Sequence, residues 1–172
     1  MLTNNFYNML RCIMTQKTVS SGVIACSGIT QNVYNYTYSA SNLFDRFAST
    51  DKKVVTQTSD VGVAFGTGST PPTLNDYWLS GDHITTISIV AATVTPNIAD
   101  GVYTIQNAIT VSNSGADTII INEMVLCAQA YVNTGGNYVS TAIDRTVLDT
   151  PLTLAPGEQG VITYTFNLPI VQ

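Results

Sequence analysis

Side chains able to do acid–base, nucleophilic or metal chemistry are few in this 172-residue chain, and they are scattered. There is one histidine, His83. Proton transfer or metal binding by a single histidine requires partners within reach. Asp82 is its sequence neighbour, but adjacent residues of a strand point to opposite faces. His83 therefore reads as a turn residue at the start of a strand. None of the eleven carboxylates falls in the alternating Asp/Asn loop that wraps calcium. No two of them are marked by spacing as the facing pair that a glycosidase needs. The expectation is a chain with no catalytic, cofactor-binding or metal-binding residues.

One carboxylate stands apart. Glu123 lies inside the apolar stretch 119–127, and Arg145 lies in the strand-like segment that follows. A buried carboxylate without a partner is strongly unfavourable, and a guanidinium offers a planar, two-pronged one. The residues predict a structural ion pair, Glu123–Arg145, that holds the fold. The competing expectations are Asp144 in its place, or an exposed Glu123. Gly66-Thr-Gly68 invites comparison with a phosphate-binding loop. No third glycine follows at dinucleotide spacing, no Gly-Lys-Ser/Thr follows, and no helix is expected after it. Residues 66–76, with Pro71 and Pro72, read instead as a long turn-rich connection.

The three cysteines are Cys12, Cys26 and Cys127. None forms a Cys-x-x-Cys, and an odd count argues against a complete disulfide framework. Cys26 and Cys127 sit in apolar runs and read as small buried hydrophobes. Asn35-Tyr-Thr37 matches a glycosylation acceptor, but the start of the chain has no basic stretch leading into an apolar run. Tyr34, Tyr36 and Tyr38 alternate with polar residues as ordinary strand aromatics; the same row would suit stacking on sugars.

Charged residues make up 10% of the chain, against roughly 25% in ordinary soluble domains. The net charge is −5, and of the six basic residues only Lys52 and Lys53 are adjacent. Nucleic-acid binding needs clustered cations that displace counterions from phosphates, so that class is set aside. No apolar segment reaches bilayer length, which sets aside a membrane role. The expected place of synthesis is a reducing cytoplasm. Sparse charge leaves little repulsion between copies. Two readings of the surface follow: it ends against neighbouring subunits, or it is rich in Ser, Thr and Asn and polar without charge.

Leu2, Phe6, Leu10 and Ile13 recur at helical spacing and predict a short amphipathic helix over residues 4–14, capped by Thr3 or Asn4. So short a helix must pack on something. It either covers the sheets of its own chain, or forms an arm, residues 1–16, whose Phe6, Leu10 and Ile13 contact another subunit. From residue 17 the pattern is that of strands, at 19–26, 34–38, 54–57, 61–65, 84–95, 103–112, 117–132, 139–148, 152–154 and 161–168. Residues 41–47 read as a helical turn, and turns are expected at 97–101, 113–115, 133–137 and 155–157. The run Ile119-Ile-Ile121 is apolar on both faces, which suits a central strand. In the last strand Ile162, Tyr164, Phe166 and Leu168 read as inward, and Val161, Thr163, Thr165 and Asn167 as outward. These elements predict an all-β protein: an antiparallel two-sheet sandwich, jelly-roll-like, with a short N-terminal helix and one domain over residues 17–172.

Two stretches also carry a resemblance. One is Val63-Ala-Phe-Gly-Thr-Gly-Ser-Thr-Pro-Pro-Thr-Leu-Asn-Asp-Tyr-Trp-Leu79. The other is Ile121-Asn-Glu-Met-Val-Leu126, followed by Asp144-Arg-Thr-Val-Leu-Asp-Thr-Pro-Leu-Thr-Leu-Ala-Pro-Gly-Glu158 and an alternating last strand. Together they resemble small virion structural proteins of tailed bacteriophages, over most of residues 60–168. The resemblance implies a non-enzymatic virion component made in the host cytoplasm. A capsid decoration or auxiliary protein is the first expectation, and a head–tail or tail accessory protein the second. It also implies a homo-oligomer whose partners are other virion proteins, such as the major capsid protein. Two rival expectations come from other classes. One is a carbohydrate-binding module of a fibre or adhesin, using Trp78 and exposed tyrosines. The other is a hydrolase with a hidden carboxylate pair.

Overall fold

The computed structural model describes residues 1–15, 19–33, 62–99, 102–131 and 138–169. The expected strands at 34–38 and 54–57, the helical turn at 41–47 and the loop at 133–137 lie outside these residues. What is described is mostly β: one helix, α1 (Asn4–Thr15), and eight strands, all paired antiparallel where their register is given. The strands are β1 (Val19–Ile24), β2 (Thr30–Val33), β3 (Gly62–Gly66), β4 (Ile87–Ala99), β5 (Val102–Asn113), β6 (Ile119–Tyr131), β7 (Tyr138–Leu154) and β8 (Gln159–Pro169). They form a pair β1-β2 and two three-stranded sheets, β3-β6-β7 and β4-β5-β8. No helix among the described residues is long and apolar enough to cross a membrane.

By its contacts the chain divides into two compact units, residues 1–85 with 120–153, and residues 86–119 with 154–172. The helix is part of the first. There β6 is the middle strand, and both its faces are buried from residue 123 to 128: Glu123, Val125 and Cys127 on one, Met124, Leu126 and Ala128 on the other. Of the run Ile119-Ile-Ile121, on which a double-sided strand was expected, Ile121 is buried but Ile120 is exposed. A strand covered on both sides needs the near-continuous apolar run that the sequence has here. The N-terminal residues add to β7. Leu2 bridges Asp144, Thr3 N donates to Ile143 O, and Arg145 N donates to Met1 O. Thr3 does not use its hydroxyl as a helix cap; Thr3 Oγ1 donates to Ala142 O at 2.6 Å. Asn5, 4% exposed, ties three elements together. Its Nδ2 donates to Ile24 O (2.9 Å) and Ala142 O (3.1 Å), and its Oδ1 accepts from Ile24 N (2.8 Å). An asparagine buried among strands must satisfy both ends of its amide, and this one does so by fastening α1 to β1 and β7.

In the second unit β5 lies between β4 and β8. Ile109, Val111 and Ile162 are buried while Val161 is exposed, the alternation of a half-buried sheet. Several strands differ from the sequence expectation, beginning with β2, Thr30–Val33, which falls outside every expected strand. The strand expected from residue 84 begins at Ile87, because His83 and Ile84 pair with the end of β3 instead: Gly66 bridges His83, and Ile84 N donates to Phe65 O. The turn expected from residue 97 starts later, because β4 continues through Pro96, opposite Ile105, to Ala99, opposite Val102. β4 is an end strand of its sheet, where a residue lacking N–H is tolerated. Likewise β7 runs unbroken through Pro151, where two separate segments were expected. The turn expected at 155–157 is present: Glu158 N donates to Ala155 O across Pro156 and Gly157, and Gly157 has φ 75°. That is the chemistry of a tight turn with proline second and glycine third.

Candidate functional site

The one buried cluster of opposite charges among the described residues lies in the first unit, where β3, β6 and β7 meet the connection 67–82. This connection has few ladder partners, so its N–H groups must be satisfied otherwise. Glu123 supplies the acceptor. It is 0% exposed and sits directly opposite Gly66 in the β3–β6 register. A Cβ on Gly66 would come within 2.8 Å of Glu123 Oε1; glycine leaves the carboxylate room to turn toward the connection. Glu123 Oε1 then accepts from Gly68 N (3.0 Å), Ser80 N (3.0 Å) and Gly81 N (2.8 Å). Its Oε2 accepts from Ser80 N (3.1 Å), Ser80 Oγ (3.2 Å) and Arg145 Nε (2.7 Å).

Arg145, on β7 and 1% exposed, is the centre of the other half. Its Nη1 donates to Asp76 Oδ2 (2.8 Å), and its Nη2 to Thr70 O (2.8 Å) and Ser80 Oγ (2.6 Å). Asp76 also closes its own turn, accepting from Thr73 N (2.9 Å) and Thr73 Oγ1 (2.7 Å). The guanidinium therefore joins the strand carboxylate Glu123 to the loop carboxylate Asp76. Around them Gly68 and Gly81 are back to back. A Cβ on Gly68 would collide with Ser80 Oγ and Glu123 Oε1, and one on Gly81 with the backbone of Gly68.

The electrostatics follow from this cage. Burial pushes the Glu123 carboxyl up, but the Ser80 and Gly81 amides and then the Arg145 guanidinium outweigh it and hold it below its ordinary 4.5. Burial likewise pushes Asp76 up, and the Thr73 amide and hydroxyl with Arg145 bring it below its ordinary 3.8. Burial acts to lower Arg145, but the two carboxylates raise it. Both acids are held ionised, away from the near-neutral range in which a carboxyl shuttles protons. What the arrangement does chemically is bind an anion on backbone amides, and the anion is the chain's own.

The expected Glu123 and Arg145 are thus brought together at 2.7 Å. Asp144, the rival partner, faces the N-terminus instead: the Met1 ammonium lies 3.0 Å from Asp144 Oδ1. Sequence reasoning missed Asp76 as a second partner and Ser80 and Gly81 as donors. The signal was Gly66-Thr-Gly68 itself, whose glycines admit a close anion, though not a phosphate. Phe6 is buried within the first unit; Leu10 and Ile13 belong to α1, and the surroundings of their side chains lie outside what is described. His83 stacks edge-on against Trp78 at 5.4 Å, and its Nε2 is buried with no hydrogen-bond partner. Trp78 packs on the small core cluster of Cys26, Ala64, Val125, Cys127 and Ala142. A cavity of about 150 Å³ lies between α1, β1 and the 67–82 connection, walled by asparagines such as Asn4, Asn5 and Asn8 together with the apolar Val23, Ile24 and Leu74. It is smaller than the roughly 300–1,000 Å³ of ordinary ligand pockets. Among the described residues no group of three or more His, Cys, Asp or Glu is placed to hold a metal ion. No family model, no curated protein and no solved structure matches the chain.

Proposed function

We propose that this chain is a structural, non-enzymatic component of a bacteriophage virion that works by binding other virion subunits. A capsid decoration or auxiliary protein is the first reading, and a head–tail or tail accessory protein the second. The finer form of the fold, a jelly-roll-like sandwich, belongs to the same proposal, as do homo-oligomerisation and assembly from the host cytoplasm. The observation that carries it is the use made of the buried charges. Glu123, Asp76 and Arg145 turn all their strong interactions inward, onto the 67–82 connection. A chain that spends its best-placed acids and base on stiffening a loop is built to present a shape. Sparse charge supports the same reading, since 10% charged residues leaves neighbouring copies little to repel. Repetition on a symmetric particle then supplies avidity, so each contact can be modest.

Quantitative mass spectrometry of purified particles from a lysogen or lysate carrying the gene tests this. The chain is expected to co-purify with the major capsid protein in a fixed ratio. A ratio near that of the shell protein assigns it to the capsid surface, and a few copies per particle to the neck or tail. Absence from particles while the chain accumulates free in the lysate overturns the proposal.

A carbohydrate-binding module is the alternative, and the exposed Tyr7 and Tyr77 favour it as stacking surfaces. Trp78 is partly buried against the core and His83, which makes it a poor platform but a good reporter. Saturable change of its fluorescence on titration with cell-wall saccharides supports this alternative over subunit binding.

A further inference from the structure

We infer that Cys26 and Cys127 form an internal disulfide when the chain meets a thiol oxidant, a cross-link independent of the virion proposal. The two sulfurs lie 3.9 Å apart in the first unit, although 101 positions separate them in sequence. Each is held by backbone from a different direction. Cys26 follows β1 and donates its N–H to Ser140 O on β7 at 2.9 Å, whereas Cys127 lies on the middle strand β6, opposite Gly62 of β3. Both are buried. The cluster they share is otherwise built from Ala64, Val125 and Ala142, which are small. A covalent S–S bond of about 2.05 Å requires the sulfurs to approach by a little under 2 Å from their 3.9 Å separation.

The chemistry balances with a small-molecule disulfide as oxidant. One cysteine thiolate attacks the oxidant and displaces the first small thiol, giving a mixed disulfide. The second thiolate attacks the protein sulfur and displaces the second small thiol. Two protein thiols are oxidised, one external disulfide is reduced, and both protons end on the released thiols. The hydrogen bond with Cys26, and then burial, push the Cys127 thiol well above its ordinary 9.0. Thiolate at Cys127 is therefore scarce in the folded chain, and exchange there proceeds while the chain is folding or locally open. Once closed, the bond is shielded from reductants by the same burial.

The test uses the full chain, refolded either with oxidised glutathione or with a reductant, then denatured and alkylated. After oxidation the expected product has lost two hydrogens and takes up one alkyl group instead of three. Peptide mapping without reduction is expected to recover the Cys26 peptide joined to the Cys127 peptide. Thermal denaturation of the oxidised chain is expected about 10 °C above the reduced one, because so long a loop is closed. In Cys26→Ala the remaining thiols all alkylate and the oxidant no longer moves the midpoint. If that variant fails to fold, the mass and the peptide map of the unaltered chain still decide. Recovery of Cys26 and Cys127 both alkylated, or linked to Cys12 or to a second molecule, overturns the inference.

Discussion

At Glu123 four donors of the 67–82 connection and one guanidinium nitrogen converge on two oxygens. Replacement by glutamine turns one acceptor into a donor inside that cage and leaves Arg145 with Asp76 as its remaining counter-charge. Breaking a buried pair from one side is far more damaging than replacing both partners by apolar groups. Glu123→Gln is expected to lower stability by about 3 kcal/mol, read as a lower urea midpoint; an unchanged midpoint would show that the carboxylate does not hold the connection. Asn5 is the neutral counterpart. Asn5→Ala strands Ile24 N, which has Asn5 Oδ1 as its acceptor, and is expected to cost about 2 kcal/mol. Loss of hydrogen-exchange protection at the Ile24 amide is the check. The pair Glu123–Arg145 was readable from sequence because a charge inside an apolar run demands a partner. Asp76 was not, because nothing local says that residue 76 folds back over residue 145.

Elements show the same division. The alternation in β8 and the double-sided run in β6 follow from periodicity, which is a local property. Strand ends do not: Ile84 pairs with β3 rather than beginning β4, and Pro96 stays in strand because β4 has an end position. Proline reads as a break until the position of its strand in the sheet is known. The 67–82 connection wraps the Glu123 carboxylate through closely packed glycines, Gly68 and Gly81. Gly81→Ala places a methyl group against the backbone of Gly68, which cannot rotate away. It is expected to destabilise by about 3 kcal/mol. Gly157→Ala, whose Cβ meets nothing within 4 Å but whose φ is 75°, is expected to cost about 1 kcal/mol through backbone strain alone. Paired thermal melts check the order; equal losses would mean that the cage around Gly81 yields.

On the scale of the molecule, charge is unevenly placed. Strands β4, β5 and β8 contain no charged residue, whereas the first unit holds the Glu123–Arg145–Asp76 cluster. Both acids have folded pKa values below their ordinary 4.5 and 3.8, so in that range the unfolded chain binds protons that the folded chain does not. Stability from these groups is complete above about pH 5 and is lost as pH falls through the lowered folded values. Arg145, already raised, adds no titration at acid pH. The urea midpoint is therefore expected to fall as pH is taken from neutral to about 3, and to fall less steeply in Asp76→Asn. Identical slopes for the two proteins would remove Asp76 from the linkage.

Pattern and composition, acting over a few residues at a time, suffice for a mostly β chain, the helix at the start, the Pro156-Gly157 turn and the need of Glu123 for a cation. They suffice because backbone geometry and the penalty for burying a lone charge apply wherever the residue sits. The division into two units, the course of 67–82 around a carboxylate and the meeting of Cys26 with Cys127 are different in kind. Each depends on residues tens of positions apart arriving at one place, and only the assembled chain sets that distance.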